Sequence, residues 1–236
     1  MDIHKPKAWH GLREFLKEYG IIVLGVLTAL GAEQAVESFK HESQVNVAER
    51  VLKENYAIFL RQRAELVAES ACADKRLDEL KAVVDQAAMQ HRLGQVAAIP
   101  EPRPHSWDIT GWDTLLSSQA AGHVRQEDMI EYAKIAHWAH DAQEAGTNEY
   151  DVWSTFQSLV GGARPFGQPE EAELRTNIAR ARHTTILLGD ISRTTEQEIL
   201  KTGRLTQADV DKARRDGAAS PYAASMCTPI SYRAVH

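Results

Sequence analysis

Few side chains in this chain are spaced for chemistry. His137 and His140 stand three apart with Asp141 adjacent. On a helix that spacing puts both imidazoles on one face, where a bundle can build a metal site with carboxylates from neighbouring helices. The pair is a weak metal candidate. A di-iron bundle needs Glu-x-x-His pairs and a zincin helix needs His-Glu-x-x-His, and the sequence contains neither. The ten histidines are otherwise read as structural.

The two cysteines, Cys72 and Cys227, lie in no Cys-x-x-Cys motif. In an oxidising compartment two is the number one disulfide needs; free thiols or a bridge between chains are the alternatives. Closing a loop that long would contribute roughly 4–5 kcal/mol in the chain-entropy account. A Gly-x-Ser-x-Gly elbow, a phosphate-binding Gly-x-x-x-x-Gly-Lys loop and a dinucleotide fingerprint after a strand are all missing. The glycines of Gly161–Gly167 surround one arginine but follow no strand, so they read as a loop between helices. Trp107, Trp112, Trp138 and Trp153 read as packing residues. No catalytic residue, no cofactor and no nucleic-acid partner is expected, and the chain is not expected to be an enzyme. A net charge of −6 over 236 residues argues against a generally basic surface.

The elements that would position these residues begin with an uneven N-terminus. Mean hydropathy is −0.39, yet Tyr19 to Ala32 form fourteen consecutive positions without a charge. At 1.5 Å per residue the run covers about 21 Å, short of a ~30 Å hydrocarbon core. Phe15 and Leu16 before it, and Ala35, Val36 and Phe39 after it, lengthen the apolar character. Lys17, Glu18, Glu33 and Gln34 are long enough to snorkel, and Trp9, Phe15, Tyr19 and Phe39 suit an interface.

A soluble buried helix would normally show two faces, and this run is apolar all round. A cleaved signal peptide fits the core length, with Ala29 and Gly31 before a cut, but its leader would be long and would carry Asp2, Glu14 and Glu18. An uncleaved anchor over 19–39 is the favoured reading. Four basic and three acidic residues precede the run; 23 basic and 30 acidic residues follow it. The positive-inside rule then puts the leader, 1–18, in the cytoplasm of a bacterium and the main domain in the periplasm. Gly25 with Ala29, and Thr28 with Ala32, are pairs of small residues four apart, the spacing that lets spans pack closely. The membrane, and a second copy or another membrane protein, are the expected partners.

The stretches FLKEYGIIVLGVLTALGAEQAVE, Phe15 to Glu37, and SWDITGWDTLLSSQAAGHVRQEDMIEYAKIAHWAH, Ser106 to His140, resemble a group of uncharacterised bacterial single-pass membrane proteins. Members open on a FLKE-like lead-in, an IVLGVL-like core and an EQ-type exit. The resemblance implies one span and an extracytoplasmic helical domain. It implies no activity.

Beyond the anchor the chain reads as all-α, a helical bundle over 40–216 with a tail over 217–236. Residues 41–95 are strongly helical, either as one stalk continuous with the span or as two helices broken near Ser70 to Asp74. Ile99 to His105, with three prolines, must connect. A short helix surrounds Trp112, and a longer one runs from Glu127 to about Leu159. Pro169 opens the next, in which Leu174, Ile178, Ala181, Thr185, Leu188, Ser192, Thr195 and Ile199 step by four and three toward Gly203. Thr206 caps a last helix. No strand-like alternation of useful length appears. The functional expectation is a membrane-anchored interaction or structural protein. The alternative is a ligand-sensing bundle acting through a membrane partner; a metal-dependent bundle enzyme is a weaker third.

Overall fold

A computed structural model describes residues 11–234. The protein is mostly helical: one very long N-terminal helix and a bundle folded along its far part. Helix α1, Leu12–Gln90, runs 79 residues without a break. At 1.5 Å per residue that is about 120 Å. The expected leader is only partly in view, since residues 1–10 lie outside the described residues. Of the two expectations for 41–95, the single stalk is what forms. Residues Ser70 to Asp74 contain no Gly or Pro, and Ala73 and Leu77 bury their side chains in the core.

The helix ends earlier than the expected Gln95. His91 adopts a left-handed conformation (φ 50°) and its N–H caps Ala87 and Ala88. Two short strands follow, β1 (Arg92–Leu93) and β2 (Gln95–Ala98). Helix α2 is Thr110–Ser117, α3 is Gln126–Thr155, and β3 is Arg164–Pro165. Helix α4 is Gln168–Lys201, α5 is Gln207–Ala218, α6 is Pro221–Met226, and β4 is Ser231–Arg233. Strand β1 pairs antiparallel with β3, and β2 with β4. These strands of two to four residues are too short to leave an alternating pattern, which is why the sequence reading had none.

The caps follow local chemistry. Thr206 and Asp209 form a reciprocal capping box at the start of α5. Pro169 lies in the first turn of α4, with Glu170 and Glu171 beside it. The seam expected along α4 is the buried one: Leu174, Ile178, Ala181, Leu188, Ser192, Thr195 and Ile199 are all inside.

A small apolar cluster of Leu60, Val210 and Ala213 joins α1 to α5, and two large clusters build the rest of the core. The one nearer the apolar end of α1 gathers Leu52, Tyr56 and Phe59 with Trp107, Leu115, Ile135, Ala139 and Leu188. The farther one gathers Leu77, Leu80 and Val84 with Trp153, Phe156, Leu174 and Ile178. Helix α3 therefore runs parallel to α1 and α4 returns antiparallel. Gly217 of α5 meets α1 so closely that a Cβ there would stand 2.1 Å from the Arg61 carbonyl oxygen.

Within the expected tail, 217–236, the described residues after α5 fold back along α1 as a strap. Ser220 caps α6, with Pro221 in its first turn. Cys227 is bonded to Cys72, with Cα atoms 4.9 Å apart and 155 positions between them in sequence. One turn further along α1, Arg76 is fully buried and its Nη1 donates to the Thr228 carbonyl at 2.7 Å. Glu79, paired with Arg76 at 2.6 Å, accepts from the Ile230 N–H at 3.1 Å. Residues 72, 76 and 79 share one helical face and hold the strap at successive points. Gly94 completes it, since a Cβ there would lie 2.3 Å from the Arg233 carbonyl oxygen on β4.

Two outcomes are expected. Replacing both cysteines by serine should lower unfolding stability by about 4 kcal/mol, read from urea midpoints of the detergent-solubilised chain. Gly217→Ala should cost roughly 1–3 kcal/mol by forcing α5 away from α1.

Candidate functional site

Between the two apolar clusters lies a polar layer drawn from four parts of the chain. On α1, Glu65 adjoins Leu66 of one cluster, and Glu69 sits between Leu66 and Ala73 of the other. On α3, Glu149 falls between Ala145 and Val152, and on α4, Thr184 and Thr185 fall between Ala181 and Leu188. Arg103 and His105 come from the proline-rich connection. Residue-level exposure is 3% for Glu65, 2% for Glu69 and 5% for Glu149. Three carboxyl groups thus occupy the interior at one level of the bundle.

Their partners differ. Glu65 accepts from Ser220 Oγ at 2.9 Å, and its carboxylate lies 3.7 Å from His105 Nε2 and 3.8 Å from Arg103. Glu149 accepts from the Thr185 hydroxyl. Both oxygens of Glu69 are buried with no hydrogen-bond partner among the described residues. Trp107 Nε1 and Trp153 Nε1 are also buried without one among the described residues. The Trp107 ring lies 5.3 Å from that of His105, tilted by 41°, and meets Phe59 edge-on.

The electrostatic result follows from burial. Taking the Glu69 carboxyl out of water disfavours its charged form, and the carboxylates of Glu149 and Glu65 add to that, against some relief from Arg103; the pKa rises to about 8. Burial also raises Glu149, with the Thr185 hydrogen bond opposing. Burial lowers His105, with the Glu65 carboxylate opposing.

Sequence reasoning missed this layer. Glu65 and Glu69 occur among many charged residues of α1, and a charge on a long helix reads as solvent-facing. The available signal was spacing: Glu69 lies on the same stripe as Leu66, Ala73 and Leu77.

The residues singled out from sequence fall elsewhere. His137 and His140 are exposed on α3, and His137 Nε2 lies 3.7 Å from Asp141 of the same helix. Among the described residues no group of three or more His, Cys, Asp or Glu side chains is arranged to hold a metal ion. Trp107 and Trp153 are buried, and Trp112 and Trp138 are half-buried. Arg164 in the glycine-rich loop is engaged by Glu170 at the start of α4. Gly25, Thr28, Ala29 and Ala32 lie on the bare part of α1, all exposed, with the Thr28 hydroxyl bonded to the Leu24 carbonyl at 2.7 Å. The 18-residue apolar window there has a mean hydropathy of 1.6 and none of it is covered. This one helix is long and apolar enough to cross a membrane, while the rest of the domain is packed against its other end.

The layer has a measurable consequence. A carboxyl with pKa about 8 when folded and an ordinary value of 4.5 binds more protons folded than unfolded throughout that window. Stability therefore falls as pH rises from 4.5 toward 8 and levels off above it. His105 works the opposite way, but only below its ordinary 6.5. Between pH 6.5 and 8 the Glu69 contribution should be a loss of about 1.4 kcal/mol per pH unit. Glu69→Gln should flatten that slope in urea titrations at several pH values. An unchanged slope would mean that Glu69 is not the proton-binding group.

The chain matches no family model, no curated protein and no solved structure. What stands of the resemblance is the long apolar N-terminal helix, and no family is assigned on it.

Proposed function

We propose that this chain is a single-span protein of a bacterial inner membrane, its N-terminus cytoplasmic and its helical domain periplasmic, with an interaction or structural role and no catalytic one. The observation that carries the reading is the division of α1. Positions 24–40 are exposed without exception, and from Ala48 onward the same helix supplies the core. An apolar helix surface of that length bare to water is costly and is comfortable in lipid. The charge balance on its two sides supports the orientation. The disulfide between Cys72 and Cys227 is at home in an oxidising compartment.

A second reading is a sensing domain acting through a membrane partner. The buried layer around Glu69 favours it, because a group of pKa about 8 exchanges its proton near neutral pH. That proton would be the input, and the packing of α1 against α3 and α4 the responding element.

Reporter fusions after Ala234 should be active with an export-dependent enzyme and silent with a cytoplasm-dependent one. The reverse pattern would overturn the topology. Crosslinking in intact membranes followed by mass spectrometry should recover the chain with a protein neighbour. Recovery as an isolated monomer would count against the interaction role.

A further inference from the structure

We propose that the groove between α1, α4 and α5 binds a small aliphatic carboxylate, its head on Arg63 and its chain along Val67 and Ala68. The inference goes beyond both readings above and depends on neither. The groove has a volume of about 410 Å³, within the range of small-molecule sites. Its charged lining is Arg63 of α1, Glu196 of α4 and Arg214 of α5. Its apolar lining is Ala64, Val67 and Ala68 of α1 with Ala218 of α5. Helix α5 runs beside α1 in the same direction, since Asp209 meets Lys53 and Gly217 meets Arg61. Val67 is thus one turn beyond Arg63, and Ala218 one turn beyond Arg214. The groove has a charged end and an apolar end, and the apolar end is open, with Val67 53% exposed.

The charges select the sign of the ligand. Arg214 donates from Nη2 and Nε to Oε1 of Glu196, at 2.7 and 3.2 Å. Arg63 has less. Its Nε stands 3.8 Å from Oε2 of the same carboxylate and is buried with no hydrogen-bond partner among the described residues. Arg193 and Asp190, the other charged groups near Arg63, pair with each other at 2.8 Å. Three guanidinium groups therefore share two carboxylates, and the surplus charge lies on the arginine with the weakest partner. Burial disfavours the charged form of Arg63, with the Glu196 carboxylate opposing. The side chain has given up water without a full replacement. A carboxylate supplies one, because it accepts two parallel N–H bonds from a guanidinium fork. A dianion would bring a second negative charge against Glu196.

The ligand arrives from water. Arg63 stands 24 positions past Phe39 on the unbroken α1, about 36 Å at 1.5 Å per residue. A lipid headgroup beside the apolar end of α1 does not reach that far.

Calorimetric titration of octanoate into the full chain in zwitterionic lipid nanodiscs, with empty discs subtracted, tests the site. Saturable binding is expected, with a Kd of about 0.1–1 mM. Octanol, which lacks the charge, and octyltrimethylammonium, which reverses it, should bind about tenfold more weakly or not at all. Arg63→Gln should weaken octanoate by about tenfold, and Arg63→Lys should keep part of the affinity. Ala68→Leu fills the apolar end from an exposed position and should weaken octanoate without removing a charge; it keeps the test open if Arg63→Gln does not fold. No saturable binding, equal binding of octanol, or octanoate binding unchanged by these substitutions would overturn the proposal. Loss of the signal in anionic-lipid discs would also overturn it, by giving the groove to a lipid headgroup. A chain that does not enter discs is titrated in buffer, so the membrane reading can fail without deciding this one.

Discussion

Hydrocarbon offers no hydrogen bonds, so a backbone crossing it must satisfy every N–H and C=O internally. Helix α1 meets that demand and then continues, with one unbroken ladder, into a water-facing domain. The continuity fixes more than the apolar segment. It sets the direction in which the domain leaves the apolar segment, and it gives α2, α4 and α5 a single rigid surface to pack on. Because no flexible linker separates the two parts, a rotation or tilt of the apolar end is also a rotation or tilt of the core helix. Leu52, Phe59 and Leu77 move with Gly25 and Ala29.

The domain built on this rod is segmented. Two apolar clusters stand above and below a layer of buried carboxyl groups, and the layer is crossed by α1, α3 and α4 together. Buried polar groups without partners stabilise nothing by themselves. Glu69 lowers its cost by holding a proton, and Glu65 lowers its own by engaging Ser220, His105 and Arg103. The strap from α5 onward is tied to this same level through Ser220. A change in protonation at the layer is therefore felt by the helices and by the C-terminal segment alike.

Much of this architecture is legible in sequence because it depends on local chemistry. The α4 seam shows in its apolar spacing, Thr206 in its capping pattern, and the apolar part of α1 in fourteen positions without charge. The pairing of Cys72 with Cys227 could be raised only as one of several possibilities, since sequence contains no distance between them. The carboxyl layer and the buried Arg76 were illegible for a related reason. Whether a charge on a helix faces water or a neighbouring helix depends on elements more than a hundred residues away. Thr228 and Ile230, which meet Arg76 and Glu79, illustrate this. The short strands at Gln95–Ala98 and Ser231–Arg233 exist only because the strap brings them side by side.

The strap also fixes an order of events during synthesis. Cys72, Arg76 and Glu79 are made some 150 residues before the residues that complete them. Until Cys227, Thr228 and Ile230 appear, the far half of α1 carries a buried-type arginine and an open thiol with nothing to meet them. The domain is thus a structure of distant contacts laid on a helix that forms from local ones, and contacts of that kind close slowly. The far half of α1 therefore finds its partners only after some 150 further residues have been made.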